Sequence, residues 1–245
     1  MGVNFWKIVD SVISQSDIVL MVIDARLPEQ TRNSEIERKV KASGKTLITV
    51  INKADLVDKD LLEPYKKKFA PCVFVSAHKF YGMTLLRRMI LRFAEVEPVT
   101  VGVVGYPNTG KSSVINALKG RGSAPTAPVS GYTKGKQNIK IDNKIKVIDT
   151  PGVLASDDNK LSEKLTITAS STQTKDPEGA VYELLVIHRE PVLFYYGITD
   201  ENQSEEDLLE LIALKLNRKI SGGHADTLTT AKIILKDWQQ GKIQL

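Results

Sequence analysis

A single cysteine, Cys72, stands among 245 residues. That excludes an intramolecular disulfide and any zinc site built from several thiolates. Stability must then come from a buried core, and a chain this long hides about 70% of its unfolded surface. A reducing cytoplasm is the expected compartment. Aromatic residues are scarce, at 6%. No apolar run reaches the ~18 residues of a membrane-spanning helix, so no membrane partner is expected. Met1 to Asp10 lacks the layout of a secretory signal. Internal repeats and low-complexity tracts are missing as well. What is present is ordinary globular composition, 42% apolar and 26% charged, which rules out a disordered or collagen-like chain.

Charge is unevenly placed. Residues 1–172 carry 26 Lys and Arg against 17 Asp and Glu, a net +9, and residues 173–245 carry 8 against 12, a net −4. The first stretch suits a polyanionic partner and the second does not. Pattern changes with charge. Ile18–Ile23, Thr46–Ile51, Cys72–Val75, Val99–Val104 and Ile145–Ile148 are nearly continuous apolar runs, as in parallel strands buried on both faces. Ser34–Ala42, Lys59–Phe69 and Thr84–Glu95 lie between them with helical spacing. Such alternation predicts an α/β fold with a doubly wound, mostly parallel sheet. Ile139–Ile141 and Lys144–Ile148 flank Asp142-Asn143, which predicts a hairpin with a two-residue turn and an antiparallel edge strand. Glu205–Leu216 and Asp226–Gln239 are helical, so residues 173–245 are expected to form a small α-helical domain after a 1–172 α/β domain.

Ligands of doubly wound sheets bind at the carboxyl ends of the strands. Here those ends carry Asp24, Asn52, Ser76, Gly105 and Asp149. Residues 105–112, GYPNTGKS, match G-x-x-x-x-G-K-[ST] completely, after a strand and before a helix. The small residues let successive N–H groups wrap a phosphate, and the helix dipole adds to the attraction. Asn108, Thr109, Gly110, Lys111, Ser112 and Ser113 are the candidate phosphate contacts. Lys111 neutralises β- and γ-oxygens, and Ser112 is a candidate Mg²⁺ ligand. Asp149-Thr150-Pro151-Gly152 begins 37 residues after Ser112, with the hairpin between. An Asp there can hold Mg²⁺ through water, and the Gly152 N–H can meet a γ-phosphate. Asn52-Lys53-Ala54-Asp55 ends another strand. The Asp55 carboxylate can accept the N1 and amino hydrogens of guanine, whereas adenine would leave it buried and unpaired. Ser76-Ala77 ends the next strand, where a backbone N–H can bind the guanine oxygen.

Taken together, these residues resemble a P-loop GTPase of the translation-factor-related class. The usual order of that class is phosphate loop, switch threonine, DxxG, NKxD, SA. Here the order is NKAD (52–55), SAH (76–78), GYPNTGKS (105–112), Thr133 and DTPG (149–152), a circular permutation. This order resembles the YlqF/YawG family of permuted GTPases, which act in ribosome assembly. Asp24-Ala25-Arg26-Leu27-Pro28, Arg32-Asn33 and Gly222–Asp226 extend the likeness. The RsgA-like permuted family carries an OB-fold and a zinc module, for which this sequence has neither the residues before Asn52 nor the cysteines.

The resemblance implies a GTPase that binds GTP and GDP and associates with ribosomal RNA or the pre-ribosomal large subunit. It implies Thr133 as the switch threonine and Mg²⁺ ligand, with Thr126 as the rival in the same loop, and Gly152 as a γ-phosphate sensor. Val153 follows DxxG, where many GTPases place a water-orienting Gln, so intrinsic turnover is expected to be slow. Asn108 is similar to the asparagine that binds K⁺ in potassium-stimulated relatives. Asp24 and Arg26 are left between a role at the nucleotide edge and one at a partner surface. A GTP-dependent scaffold that docks a protein and rarely hydrolyses is the alternative function.

Overall fold

The computed structural model describes residues 5–120, 137–149, 174–199 and 202–245. The chain divides into two compact units, residues 1–159 and 160–245. That division, like the expected boundary after residue 172, falls outside the described residues.

The first unit is a six-stranded sheet. Ile18–Asp24 (β1) is buried at all seven positions: six belong to the apolar run Ile18–Ile23, and the seventh is the Asp24 carboxylate. Thr46–Asn52 (β2), Cys72–Phe74 (β3), Val99–Val104 (β4), Gln137–Lys140 (β5) and Ile145–Asp149 (β6) complete it in the order β3-β2-β1-β4-β6-β5. All neighbours run parallel except β5, which pairs antiparallel with β6 at the edge. The hairpin is as expected, but its turn is longer than two residues. Ile141 donates its N–H to Ile145 at 3.0 Å, leaving three residues at the tip. The Asp142 carboxylate makes this turn, accepting from the N–H groups of Lys144 at 2.6 Å and Ile145 at 2.9 Å. Arg87 also pairs with Asp142.

Strand alternation feeds two cores. Ile18, Leu20 and Val22 of β1 pack with Leu86 and Ile90 of Met83–Phe93 and with Val114, Ile115 and Leu118 of Lys111–Lys119. Val19, Met21 and Ile23 pack with Val9, Val12 and Ile13 of Phe5–Gln15, Ile36 and Val40 of Ser34–Ala42, and Leu62 of Lys59–Lys68. In chain order these helices are α1 (Phe5–Gln15), α2 (Pro28–Thr31, one short turn), α3 (Ser34–Ala42), α4 (Lys59–Lys68), α5 (Met83–Phe93) and α6 (Lys111–Lys119). After β3 the chain returns past β1 to start β4 on its other side. The strand order therefore reverses between β1 and β4, where doubly wound sheets bind ligands.

The second unit is helical: Pro177–Tyr196 (α7), Glu205–Lys215 (α8) and Thr227–Gln239 (α9). Asp176, Ser204 and Asp226 cap the three helices, accepting from the N–H groups of Gly179, Asp207 and Thr229. Leu184, Leu185, Leu208, Ile212, Ile234 and Trp238 are fully or almost fully buried. Sequence periodicity missed α7, and the reason is visible. His188 has non-helical backbone angles and Pro191 lies within the helix, so one apolar stripe becomes two. It missed α1 as well, although Ile8, Val9, Val12 and Ile13 recur there at helical spacing. A methyl group at Gly102 of β4 would stand 2.4 Å from Ser16 Oγ and 2.6 Å from a Val12 methyl. Gly102→Ala is therefore expected to destabilise the first unit by about 1–3 kcal/mol in urea unfolding. A change within experimental error would mean that α1 is not seated this closely on the strand.

Candidate nucleotide-binding site

The phosphate loop begins where β4 ends, and two of its glycines are required by space. Gly105 has φ +144°, and a Cβ there would meet the Val22 carbonyl oxygen at 2.3 Å. Gly110 has φ +93°, and a Cβ there would meet Asn52 Nδ2 at 2.2 Å. Asn108 adopts φ +58°, which asparagine tolerates better than most residues. The Tyr106 carbonyl accepts two side chains, Thr109 Oγ1 at 2.9 Å and Lys111 Nζ at 2.6 Å. Lys111 is buried and opens α6, Ser112 beside it is exposed, and Ser113 is half-buried. The first intrahelical bond runs from the Val114 N–H to the Gly110 carbonyl. The N–H groups of residues 111–113 thus precede the helical ladder, and an anion can take them together with the dipole.

One side chain joins this loop to the others. Asn52 ends β2 and is 3% exposed. Its Nδ2 donates to the Thr109 carbonyl at 2.9 Å, and its Oδ1 accepts from the Ala77 N–H at 3.1 Å. A single amide thereby ties the NKAD, SAH and phosphate loops. The Ala77 N–H is committed to Asn52, so a guanine oxygen would have to share it. Ser76 is buried, accepts the Lys79 N–H on its hydroxyl at 3.1 Å, and exchanges backbone bonds with Tyr81. Asp55 lies in the turn Ala54–Leu56 with its side chain only 8% exposed and Lys79 Nζ 3.4 Å away.

Lys53 has φ +63°, and its ammonium lies 2.8 Å from the Asp24 carboxylate. Arg26 Nη2 approaches the same carboxylate at 2.8 Å. Burial raises the Asp24 carboxyl, but Arg26 and Lys53 outweigh it and hold the group well below the ordinary carboxylate range. Sequence reasoning gave Tyr106 and Asn33 no role here, yet the Asn33 amide caps α3 and donates to the Tyr106 hydroxyl at 3.0 Å. The signals were Asn33 standing just before a helical pattern and its place in the family likeness.

Asp149 ends β6, one residue past the Gly102–Ile148 pair, which brings its backbone to the same sheet edge as the phosphate loop. Its side chain lies outside the described residues. So do Thr126, Thr133, Thr150, Gly152 and Val153.

Comparison with known proteins agrees with this edge. A family model described as RsgA GTPase matches residues 6–158. The chain belongs to the circularly permuted P-loop GTPases. A second model, described as 50S ribosome-binding GTPase, matches residues 100–219 and so begins at β4, as the permuted order requires. A GTP-binding protein of Methanocaldococcus jannaschii is 42% identical over 97% of this chain and 65% of its own length. Nuclear/nucleolar GTPase 2 of Arabidopsis thaliana is 35% identical over 98% of this chain and 44% of its own. The chain therefore spans about two thirds or less of these curated relatives. GNP-bound YlqF from T. maritima superposes with a TM-score of 0.68 at 25% identity, covering 98% of this chain and 95% of that one. Its GDP-bound structure gives 0.66 at 26% identity. The RsgA-type match stops within the α/β unit, whereas the YlqF likeness extends through the helical unit.

Asn52→Asp tests the tie without changing side-chain size. The new carboxylate can still accept from Ala77 but sets an oxygen against the Thr109 carbonyl, leaving an unmet buried contact of about 1–3 kcal/mol. Affinity for GDP, read by fluorescence titration, is expected to fall about tenfold or more.

Proposed function

We propose that this permuted GTPase is a nucleotide-switched assembly factor of the large ribosomal subunit, working in the cytoplasm. The observation that carries the reading is the Asn52 amide, which holds the candidate base loops and the phosphate loop as one constellation. The YlqF likeness over nearly the whole chain and the 50S ribosome-binding description of the second family model support the partner.

In this reading GTP lies along the carboxyl ends of β2, β1 and β4. Asp55 accepts from the guanine edge, with Asn52, Lys53, Ser76 and Ala77 shaping the loops around it. The phosphates take the N–H groups of residues 108–113. Lys111 trades its bond with the Tyr106 carbonyl for β- and γ-oxygens, so its ammonium is already within the loop when the nucleotide arrives. Ser112 stands exposed at the first turn of α6, and its hydroxyl together with the Asp149 carboxylate offers the oxygen donors that Mg²⁺ prefers. Bound there, Mg²⁺ supplies charge against the β- and γ-phosphates. Thr133 and Gly152 report whether the γ-phosphate is present. Val153 cannot orient water, so intrinsic turnover is slow and the ribosomal particle stimulates it; Asn108 would hold a K⁺ ion, which would supply positive charge.

Lys66, Lys67, Lys68, Arg87, Arg88 and Arg92 of the basic first unit are the candidate RNA contacts, all of them exposed except the half-buried Arg87. The helical unit is net acidic, which favours a protein partner there and keeps the docking-scaffold reading as the second one.

Co-sedimentation with large-subunit particles decides between them. The GTP form is expected to pellet with particles more than the GDP form, and particles and KCl, against NaCl, are expected to raise turnover. Equal pelleting of both forms would reject the switch, and unchanged turnover on particles would favour the scaffold.

A further inference from the structure

Three charged side chains meet where the ends of β1 and β2 pair. Asp24 closes β1 in register with Asn52, which closes β2. Its carboxylate accepts from the Arg26 backbone N–H at 3.0 Å, from Arg26 Nε at 3.1 Å and from Nη2 at 2.8 Å, and it lies 2.8 Å from Lys53 Nζ. Asp24 and Arg26 are each 3% exposed.

Such a cluster is a poor way to stabilise two strand ends. Desolvating three charges cancels much of their attraction, and apolar side chains would pack the place at least as well. What the cluster does hold is Lys53. That residue sits in the left-handed region at φ +63°, which a long side chain enters at a cost and keeps only when its surroundings impose it. The Asp24 carboxylate anchors its ammonium, from a strand end 29 residues earlier in sequence. Lys53 is flanked by Asn52, which ties the loops, and is two residues from Asp55, to which the guanine reading assigns the base.

We propose that Asp24 is a positioning residue for base recognition: by holding the Lys53 ammonium it fixes the turn that presents Asp55 to guanine, while Arg26 fixes the Asp24 carboxylate in its turn. The inference deepens the guanine reading and rests on it. It also assigns Asp24 and Arg26 to the nucleotide edge rather than to a partner surface.

A purely structural role and a positioning role differ in one readout. Inosine diphosphate lacks the 2-amino group of GDP, so Asp55 can accept only the N1 hydrogen from it. Wild-type protein should therefore prefer GDP by about tenfold or more. In Asp24→Asn the preference is expected to collapse to about twofold or less, because a loosely held Asp55 no longer rewards the second hydrogen. Lys53→Met, which keeps the stem and removes the charge, should show the same collapse. A variant that merely weakens the fold lowers both affinities together and keeps their ratio. An unchanged ratio in folded Asp24→Asn overturns the proposal. Should that variant not fold, Lys53→Met decides alone, and an unchanged ratio there overturns it equally. A wild-type ratio near one removes the guanine reading itself, and the inference with it.

Discussion

The two hydrogen bonds of the Asn52 amide are the constraint on which the rest depends. Each contributes only about 1 kcal/mol net, but leaving the buried partners unmet costs more than making the bonds gains. Their importance is geometric. Residues 52, 77 and 109 follow or end β2, β3 and β4, and they meet because β3 adjoins β2 and only β1 separates β2 from β4. Gly110 lacks a side chain because Asn52 occupies the space a Cβ would need. The phosphate motif and the base motif are thus fitted to each other, and neither conformation is independent of the other.

This explains why a permuted order is tolerated. The constellation is defined by strand adjacency, and adjacency survives moving a chain break from one surface connection to another. In the usual order of the class the chain would begin with β4 and finish with α5. Here the two are joined through residues 94–98, of which Glu95–Pro98 are exposed. A short surface link is all that the rearrangement demands. The charge cluster at Asp24 touches the base loop through Lys53. It lies in register with Asn52 and is reached without crossing the phosphate loop.

Much of the first unit was legible in sequence because its signals are local or periodic. Continuous Val/Ile runs mark strands buried on both faces, and the burial of every β1 residue bears that out. The phosphate motif carries its own context of strand and helix. The signal failed at α7, which breaks its own periodicity at His188 and Pro191, whereas the face of α1, with Ile8, Val9, Val12 and Ile13 at helical spacing, was there to be read. The hairpin turn was read too short because the Asp142 carboxylate, rather than the Asp142-Asn143 dipeptide conformation, closes it. At the site, each motif could be read by itself. That the Ala77 N–H is spent on Asn52, and that Tyr106 leans on Asn33, follow from distances between loops that no spacing reveals.

A structure of the chain with GDP bound tests the convergence of the loops most directly. The guanine edge is expected within hydrogen-bonding distance of Asp55, the phosphates in the turn of residues 105–112, and Asn52 still joining Thr109 to Ala77. A nucleotide whose base lies away from Asp55, with only its phosphates held, would contradict that convergence.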